Sequence, residues 1–126
     1  MSTTSNHNLG LLVLRLSFAG LMLTHGIPKL MKVFQGDFSF GDPIGLGAGL
    51  SLVLTVIAEA ICPVLIIIGF KTRLASIPPI IVMLVAVFIV HWEDPFQRKE
   101  FALLYLFGFL AIALMGAGKY TLRKML

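Results

Sequence analysis

Six ionisable side chains interrupt the apolar segments of this chain, and they are the residues with which it could do chemistry. They are Arg15, His25, Lys29, Glu59, His91 and Glu100. A charge at the centre of a membrane helix costs roughly 2.5 to 3.5 kcal/mol on insertion scales, so each one needs a partner or a function. An imidazole exchanges protons near neutral pH, and a buried carboxylate either protonates or pairs with a cation. This set of side chains is suited to binding a polar group and to moving protons.

Three of these side chains form a stripe along the first apolar segment. Arg15, Met22, His25 and Lys29 are separated by seven, three and four residues. At about 100° per residue they fall within an arc of about 80° on one helix face. The spacing therefore predicts a polar stripe that faces the protein interior. Pro28 displaces the carbonyl four residues before it, so we expect a loosened turn next to His25.

Glu59 lies near the middle of the second apolar segment, and Arg15 is its predicted ion-pair partner across antiparallel helices. Pro63 crowds the carbonyl of Glu59, so we expect disturbed hydrogen bonding and a bend at this carboxylate. One interpretation is a structural ion pair that fixes the register of the helices. The other is a carboxylate that binds a ligand or handles protons, in which case Glu59 and His25 are the predicted catalytic residues.

Chain direction places His25, Lys29, His91 and Glu100 on the same side of the membrane. Each alone is explained as an interface anchor or as a charge at a helix end. Their convergence favours a polar mouth to the helix bundle. The predicted ligand-binding residues are Arg15, His25, Lys29, Glu59, His91 and Glu100. No metal site is predicted, since the single cysteine, Cys62, completes no thiol pair and no cluster of metal ligands.

The composition defines the surroundings of these residues. Of 126 residues, 58% are hydrophobic and 13% charged, and the mean hydropathy is +0.97. A water-soluble domain of this length needs far more polar residues, so the sequence predicts an integral membrane protein in contact with the lipid bilayer. The ten Lys and Arg residues lie mainly between apolar runs and at the C-terminus. This pattern is typical of membrane topology and lipid head-group contacts and argues against nucleic-acid binding.

Four apolar segments predict the elements that position the candidate residues. The expected helices span about 9–30, 48–69, 76–92 and 95–115, the third beginning with Ser76 as its N-cap. Short connections predict an all-α, antiparallel four-helix bundle in which residues 1–126 form one domain. With both termini in the cytoplasm, the inner side holds five basic residues and the outer side four, a count that favours this orientation.

The order of these motifs resembles the DoxX family of small four-helix membrane proteins over nearly the whole chain. The resemblance rests on Arg15, an HGxxK motif at His25, Gly26 and Lys29, then Glu59, Gly69, Lys71, Arg73, His91, Glu100 and a terminal GxG at Gly116 and Gly118. It implies an oxidoreductase-linked subunit of a bacterial inner membrane. Relatives belong with thiosulfate:quinone oxidoreductases or are associated with quinone or catechol stress and thiol redox defence. Family members often carry an acid after GxG, which GAGKYTLRK lacks.

The leading hypothesis is a protein that binds a quinone or a similar small redox molecule between its helices. His25 and Lys29 would donate hydrogen bonds to a quinone oxygen, while Glu59 would accept or relay protons. The chain has no dinucleotide fingerprint, iron–sulfur cysteine set or thiol pair, so the electron path would include a soluble or membrane redox partner. A non-catalytic scaffold, a small-molecule carrier or channel, and a b-type haem held by His25 and His91 are the alternatives. The oligomeric state is left open.

Overall fold

The computed structural model describes residues 3–122, which contain helices and connecting segments but no strand. The helices are α1 (Thr3–Phe34), α2 (Ala48–Ile68), α3 (Thr72–Val90) and α4 (Phe96–Met115). Helices α1, α2 and α3 are each long and apolar enough to cross a membrane. At 1.5 Å per residue, α1 is about 48 Å long and exceeds the ~30 Å hydrocarbon core. The predictions of an all-α fold and of an integral membrane protein are confirmed.

Helix α2 is interrupted by a π-helical turn, Ile57–Ile61, with Glu59 at its centre. The N–H of Cys62 donates to the carbonyl of Ile57, five residues earlier, instead of four. Pro63 follows directly; it has no N–H and crowds the carbonyl of Glu59. The expected disturbance of α-helical hydrogen bonding at Glu59 is confirmed, and it takes the form of an inserted residue. Such turns occur often at functional sites.

Helix α3 begins earlier than the sequence predicts. Gly69, with φ +80°, ends α2, and Lys71, with φ +48°, precedes Thr72, the first residue of α3. Two left-handed residues reverse the chain within a few residues, so the next helix starts at once. Ser76 is already inside α3, where its hydroxyl donates to the carbonyl of Thr72 at 2.8 Å. The predicted N-cap role of Ser76 is therefore wrong.

Helix α1 touches the backbone of α2 at Gly26. A Cβ atom at this position would overlap the carbonyl of Glu59 and lie 2.8 Å from the nitrogen of Ala60. Only glycine lets the two backbones come this close. One turn earlier on α1, the fully buried Met22 packs into the main apolar core, which includes Ile66 of α2 and other residues of α3 and α4. The contact at Gly26 therefore sets the height of α1 relative to the π-helical turn.

The connection between α1 and α2, residues 35–47, is held by Asp42. Its carboxylate accepts hydrogen bonds from the N–H groups of Leu46 (2.8 Å) and Gly47 (3.0 Å) and from the hydroxyl of Ser51 (3.1 Å). These bonds satisfy donors just before and within the first turn of α2, where the helix itself supplies no acceptors. They hold the connection against the start of α2.

We predict that Gly26→Ala lowers the free energy of unfolding by roughly 1 to 3 kcal/mol, the usual effect of overpacking a tight contact. Gly20→Ala is the matched control, since a Cβ at Gly20 of the same helix meets nothing within 4 Å. Unfolding in mild detergent, followed by circular dichroism, measures both variants. Equal stability of Gly26→Ala and Gly20→Ala would contradict the close contact.

Candidate ligand-binding site

A cavity of about 480 Å³ lies between the helices and is lined by all four of them and by the connection 35–47. Its walls are mostly apolar, with Phe40, Ile44 and Leu46 from the connection and Val82 and Ala86 from α3. Its polar lining consists of His25, Lys29, Ser51, Thr55, Glu59, His91, Arg98 and Tyr105. Apolar walls with a few convergent polar groups are typical of small-molecule sites.

Lys29 and Glu59 form an ion pair at this cavity. Lys29 Nζ lies 2.6 Å from Glu59 Oε1, and the two side chains are 26% and 4% exposed. Breaking such a buried pair by removing one partner leaves an uncompensated charge. Glu59 is therefore paired with Lys29, the last residue of the polar stripe on α1, and not with Arg15, the first.

Arg15 is solvated by backbone carbonyls. Its Nε donates to Ile66 at 2.9 Å, and its Nη2 donates to Ile67 at 2.8 Å. Nη1 donates to Ala117 at 3.0 Å and to Tyr120 at 2.7 Å, and the residue is 1% exposed. The carbonyls of the last turn of α2 carry the negative end of the helix dipole, and that of Ile66 also accepts from the N–H of Gly69 at 3.1 Å.

The predicted pair between Arg15 and Glu59 is wrong because the two residues lie at different heights along the helix axes. Lys29 follows Arg15 by 14 residues, which is about 21 Å along a helix. Contact of Gly26 with Glu59 places Lys29 level with the carboxylate. The same register places Arg15 beside the end of α2, where it holds that end to the segment after α4.

The glycine that ends α2 packs directly against this arginine, whereas the two glycines of the terminal GxG motif meet other side chains. A Cβ on Gly69 would lie 2.9 Å from Arg15 Nη2. Gly116 and Gly118 have φ +79° and +76°, where other residues are strained. The N–H of Lys119 donates to Asn8 Oδ1 at 2.9 Å, which attaches the same segment to α1. Gly69 therefore allows the close approach to Arg15, whereas Gly116 lies beside the guanidinium of Arg73 and Gly118 beside α1.

His25 lines the cavity and is also partly open to the outside. Its ring meets the ring of Tyr105 edge to face, with centroids 5.6 Å apart. Sequence reasoning missed Tyr105 and Arg98, which also line the cavity. The available signal was their spacing, since residues seven apart lie on one face of a helix.

His91 lines the cavity at the end of α3 and is oriented by Asp94, whose Oδ2 lies 2.7 Å from His91 Nδ1. A carboxylate only accepts, so Nδ1 carries the hydrogen of this bond and Nε2 has no hydrogen-bond partner within residues 3–122. The hydrogen bond from His91, with the charges of His91, Arg98 and Lys99, lowers the pKa of Asp94 below its usual value.

The structure separates the predicted ligand-binding residues into two groups. His25, Lys29, Glu59 and His91 line one cavity, whereas Arg15 and the exposed Glu100 lie outside it. Within the described range, no three His, Cys, Asp or Glu side chains could together hold a metal ion.

The helices and this cavity define a small helical membrane protein with a partly polar space between its helices. Residues 10–92 match the DoxX family, from the first turns of α1 to just past α3. The chain belongs to the DoxX family, which confirms the resemblance seen in its motifs. No curated protein and no solved structure matches it.

Double-mutant cycles distinguish the two pairings of Glu59. We predict that Lys29→Met and Glu59→Gln are coupled by about 1 to 3 kcal/mol in unfolding free energy, since each removes a partner of the other. Arg15→Met and Glu59→Gln should add within about 0.5 kcal/mol, since they share no contact. Thermal and denaturant unfolding in detergent supplies the values. Coupling confined to the Arg15 cycle would restore the original pairing.

We also predict that Arg15→Lys loosens the segment after α4, because an ammonium cannot reproduce the fork that reaches four carbonyls. Trypsin should then cleave faster after the exposed Lys119. Arg73→Lys is the matched control, since Arg73 is exposed, lies beside Gly116 and makes a single, long hydrogen bond among the described residues, 3.5 Å to the carbonyl of Met115. Unchanged cleavage in Arg15→Lys would show that Arg15 does not hold this segment.

Proposed function

We propose that this DoxX-family protein binds a quinone, or a similarly small redox-active aromatic molecule, in the cavity between its helices. The observation that carries the proposal is the meeting of apolar walls with His25, Lys29, Glu59 and Tyr105 in one space of about 480 Å³. A quinone combines a polar, oxygen-bearing ring with an apolar body, so it matches both parts of this lining.

The polar end of the cavity can hold the oxygens of the ring. Lys29 has two N–H donors beyond the one that meets Glu59, and His25 and Tyr105 stand beside each other on the neighbouring wall. The apolar body of the ligand would lie against Phe40 and Ile44 of the connection. Bringing the ligand between helices also removes water, which strengthens each of these polar contacts.

Reduction of a quinone takes up two electrons and two protons. Glu59 and His25 are the proposed proton-handling residues, with Glu59 held by Lys29. The electrons would come from a redox partner, soluble or in the membrane, so the chain would act as the quinone-binding subunit of an oxidoreductase. His91, oriented by Asp94, is a further ligand-binding candidate at the cavity.

The proposal includes an arrangement in the membrane. Helix α4 would be the fourth span of an antiparallel bundle, and residues 1–126 would form a single domain. Both termini would lie in the cytoplasm of a bacterium, with the protein in the inner membrane. Five basic residues against four on the two sides support this orientation.

The test is quinone binding by the purified chain in lipid nanodiscs. We predict micromolar or tighter binding of a short-chain ubiquinone analogue and about tenfold weaker binding by His25→Ala, which is the value of one lost hydrogen bond. His7→Ala is the matched control, because His7 is exposed on the same helix and does not line the cavity.

Two outcomes would contradict the proposal. Wild-type protein that binds no quinone, while a mild-detergent extract retains a protein partner by mass spectrometry, would favour the scaffold alternative. Equal affinity of wild type and His25→Ala would remove His25 from the site. Folding is checked by thermal unfolding of each variant, which should be nearly unchanged for both histidine substitutions since both side chains are exposed.

A further inference from the structure

The geometry points to a ligand that donates a hydrogen bond to Glu59. We propose that the cavity binds the reduced, hydroxyl-bearing form of its ligand, a quinol or another aromatic diol, more tightly than the quinone. This inference rests on the proposed function, which it deepens by naming the form of the ligand that the site selects.

The first observation is the state of the Glu59 carboxylate. Its Oε1 meets Lys29 at 2.6 Å, whereas its Oε2 has no hydrogen bond to any residue between 3 and 122. In that range, Thr72 Oγ1 is the one side-chain polar atom that is both fully buried and without a partner. Oε2 also has no partner, so it is not fully buried. Glu59 lines the cavity and is otherwise buried, so the free oxygen opens onto the cavity.

The second observation is that the neighbouring hydroxyls on α2 already use their hydrogens. The Ser51 hydroxyl donates to Asp42, and the Thr55 hydroxyl donates to the carbonyl of Ser51 at 2.7 Å. Ser51, Thr55 and Glu59 are spaced by four residues and follow one face of α2. This wall of the cavity therefore offers acceptors and no free side-chain hydrogen.

Because acceptors of α2 face the ligand, the hydroxyl groups of the ligand determine how tightly it binds. A quinol O–H can donate to Glu59 Oε2, and such a bond to a charged group is stronger than a neutral one. The free N–H groups of Lys29 can donate to the ring oxygen of either form, so they do not discriminate between quinone and quinol. A quinone carbonyl beside Oε2, in contrast, would set one acceptor against another with no hydrogen between them. Sites built to hydrogen-bond a hydroxyl reject analogues that lack it, because their own polar atoms are then left unpaired.

The preference has a redox consequence. A quinol bound tenfold more tightly than its quinone raises the midpoint potential of the bound two-electron couple by about 30 mV. The bound ligand would therefore be easier to reduce than the same ligand in the lipid. The change follows from the binding of the two forms alone, whatever partner exchanges the two electrons.

The experiment compares one short-chain ubiquinone analogue in its two forms, with the quinol kept reduced under argon, on the full chain in nanodiscs. We expect the quinol to bind at least tenfold more tightly. In Glu59→Gln, the amide carbonyl can accept from Lys29, which turns the amide N–H₂ toward the cavity as a donor. The preference should then shift toward the quinone. Glu100→Gln, at an exposed carboxylate outside the cavity, should keep the quinol preference.

Each result separates this inference from the proposed function. Binding of neither form overturns the proposed function. Equal binding of both forms, tighter binding of the quinone by wild type, or an unchanged quinol preference in Glu59→Gln overturns only the inference. If Glu59→Gln does not fold, the wild-type chain decides with a quinol and its dimethyl ether. The ether lacks both O–H donors and should bind at least tenfold more weakly; equal affinity would overturn the inference.

Discussion

The ion pair between Lys29 and Glu59 is the interaction on which the site depends. Two charges in an apolar bundle stabilise each other only at short range, and here the distance is 2.6 Å. Gly26 makes that distance attainable, because it brings α1 against the backbone of Glu59. Gly26 and Lys29 are three residues apart and share a helix face. The HGxxK motif thus combines a backbone contact with a charge that the contact aims at α2.

The chain uses a different solution for its other intramembrane cation. Arg15 is surrounded by carbonyl dipoles from the end of α2 and the segment after α4, and within residues 3–122 its four hydrogen bonds all go to carbonyls and none to a carboxylate. All five guanidinium hydrogens point in fixed directions, so carbonyls from two segments can be held at once. A carboxylate partner would have drawn the guanidinium away from those carbonyls. Arg15 therefore holds the end of α2 to the segment after α4. Lys29 instead bonds one oxygen of Glu59 and leaves the other oxygen facing the cavity.

Hydropathy was sufficient to predict helices and a membrane location, because an apolar run of about twenty residues has few other solutions in lipid. The polar stripe on α1 was also predictable from spacing. The partners of Arg15 and Glu59 were not predictable, because they depend on the register of α1 relative to α2 along the helix axes. That register comes from Gly26 meeting a π-helical turn, and a sequence shows the glycine but not what it touches. From the sequence alone, Tyr105 is indistinguishable from a core aromatic residue. Its contact with His25 is seen only in the structure.

The cavity itself indicates why polar and apolar features occur together. An unfilled space between helices lowers stability, since its walls lose packing contacts. A side chain such as Leu at position 55 in place of Thr55 would fill part of it and remove an acceptor. The chain instead keeps the space and lines its polar end with the Glu59 carboxylate, of which one oxygen is bonded and the other has no partner among the described residues. A ligand with a hydroxyl on an apolar body would restore the missing packing and the missing hydrogen bond together.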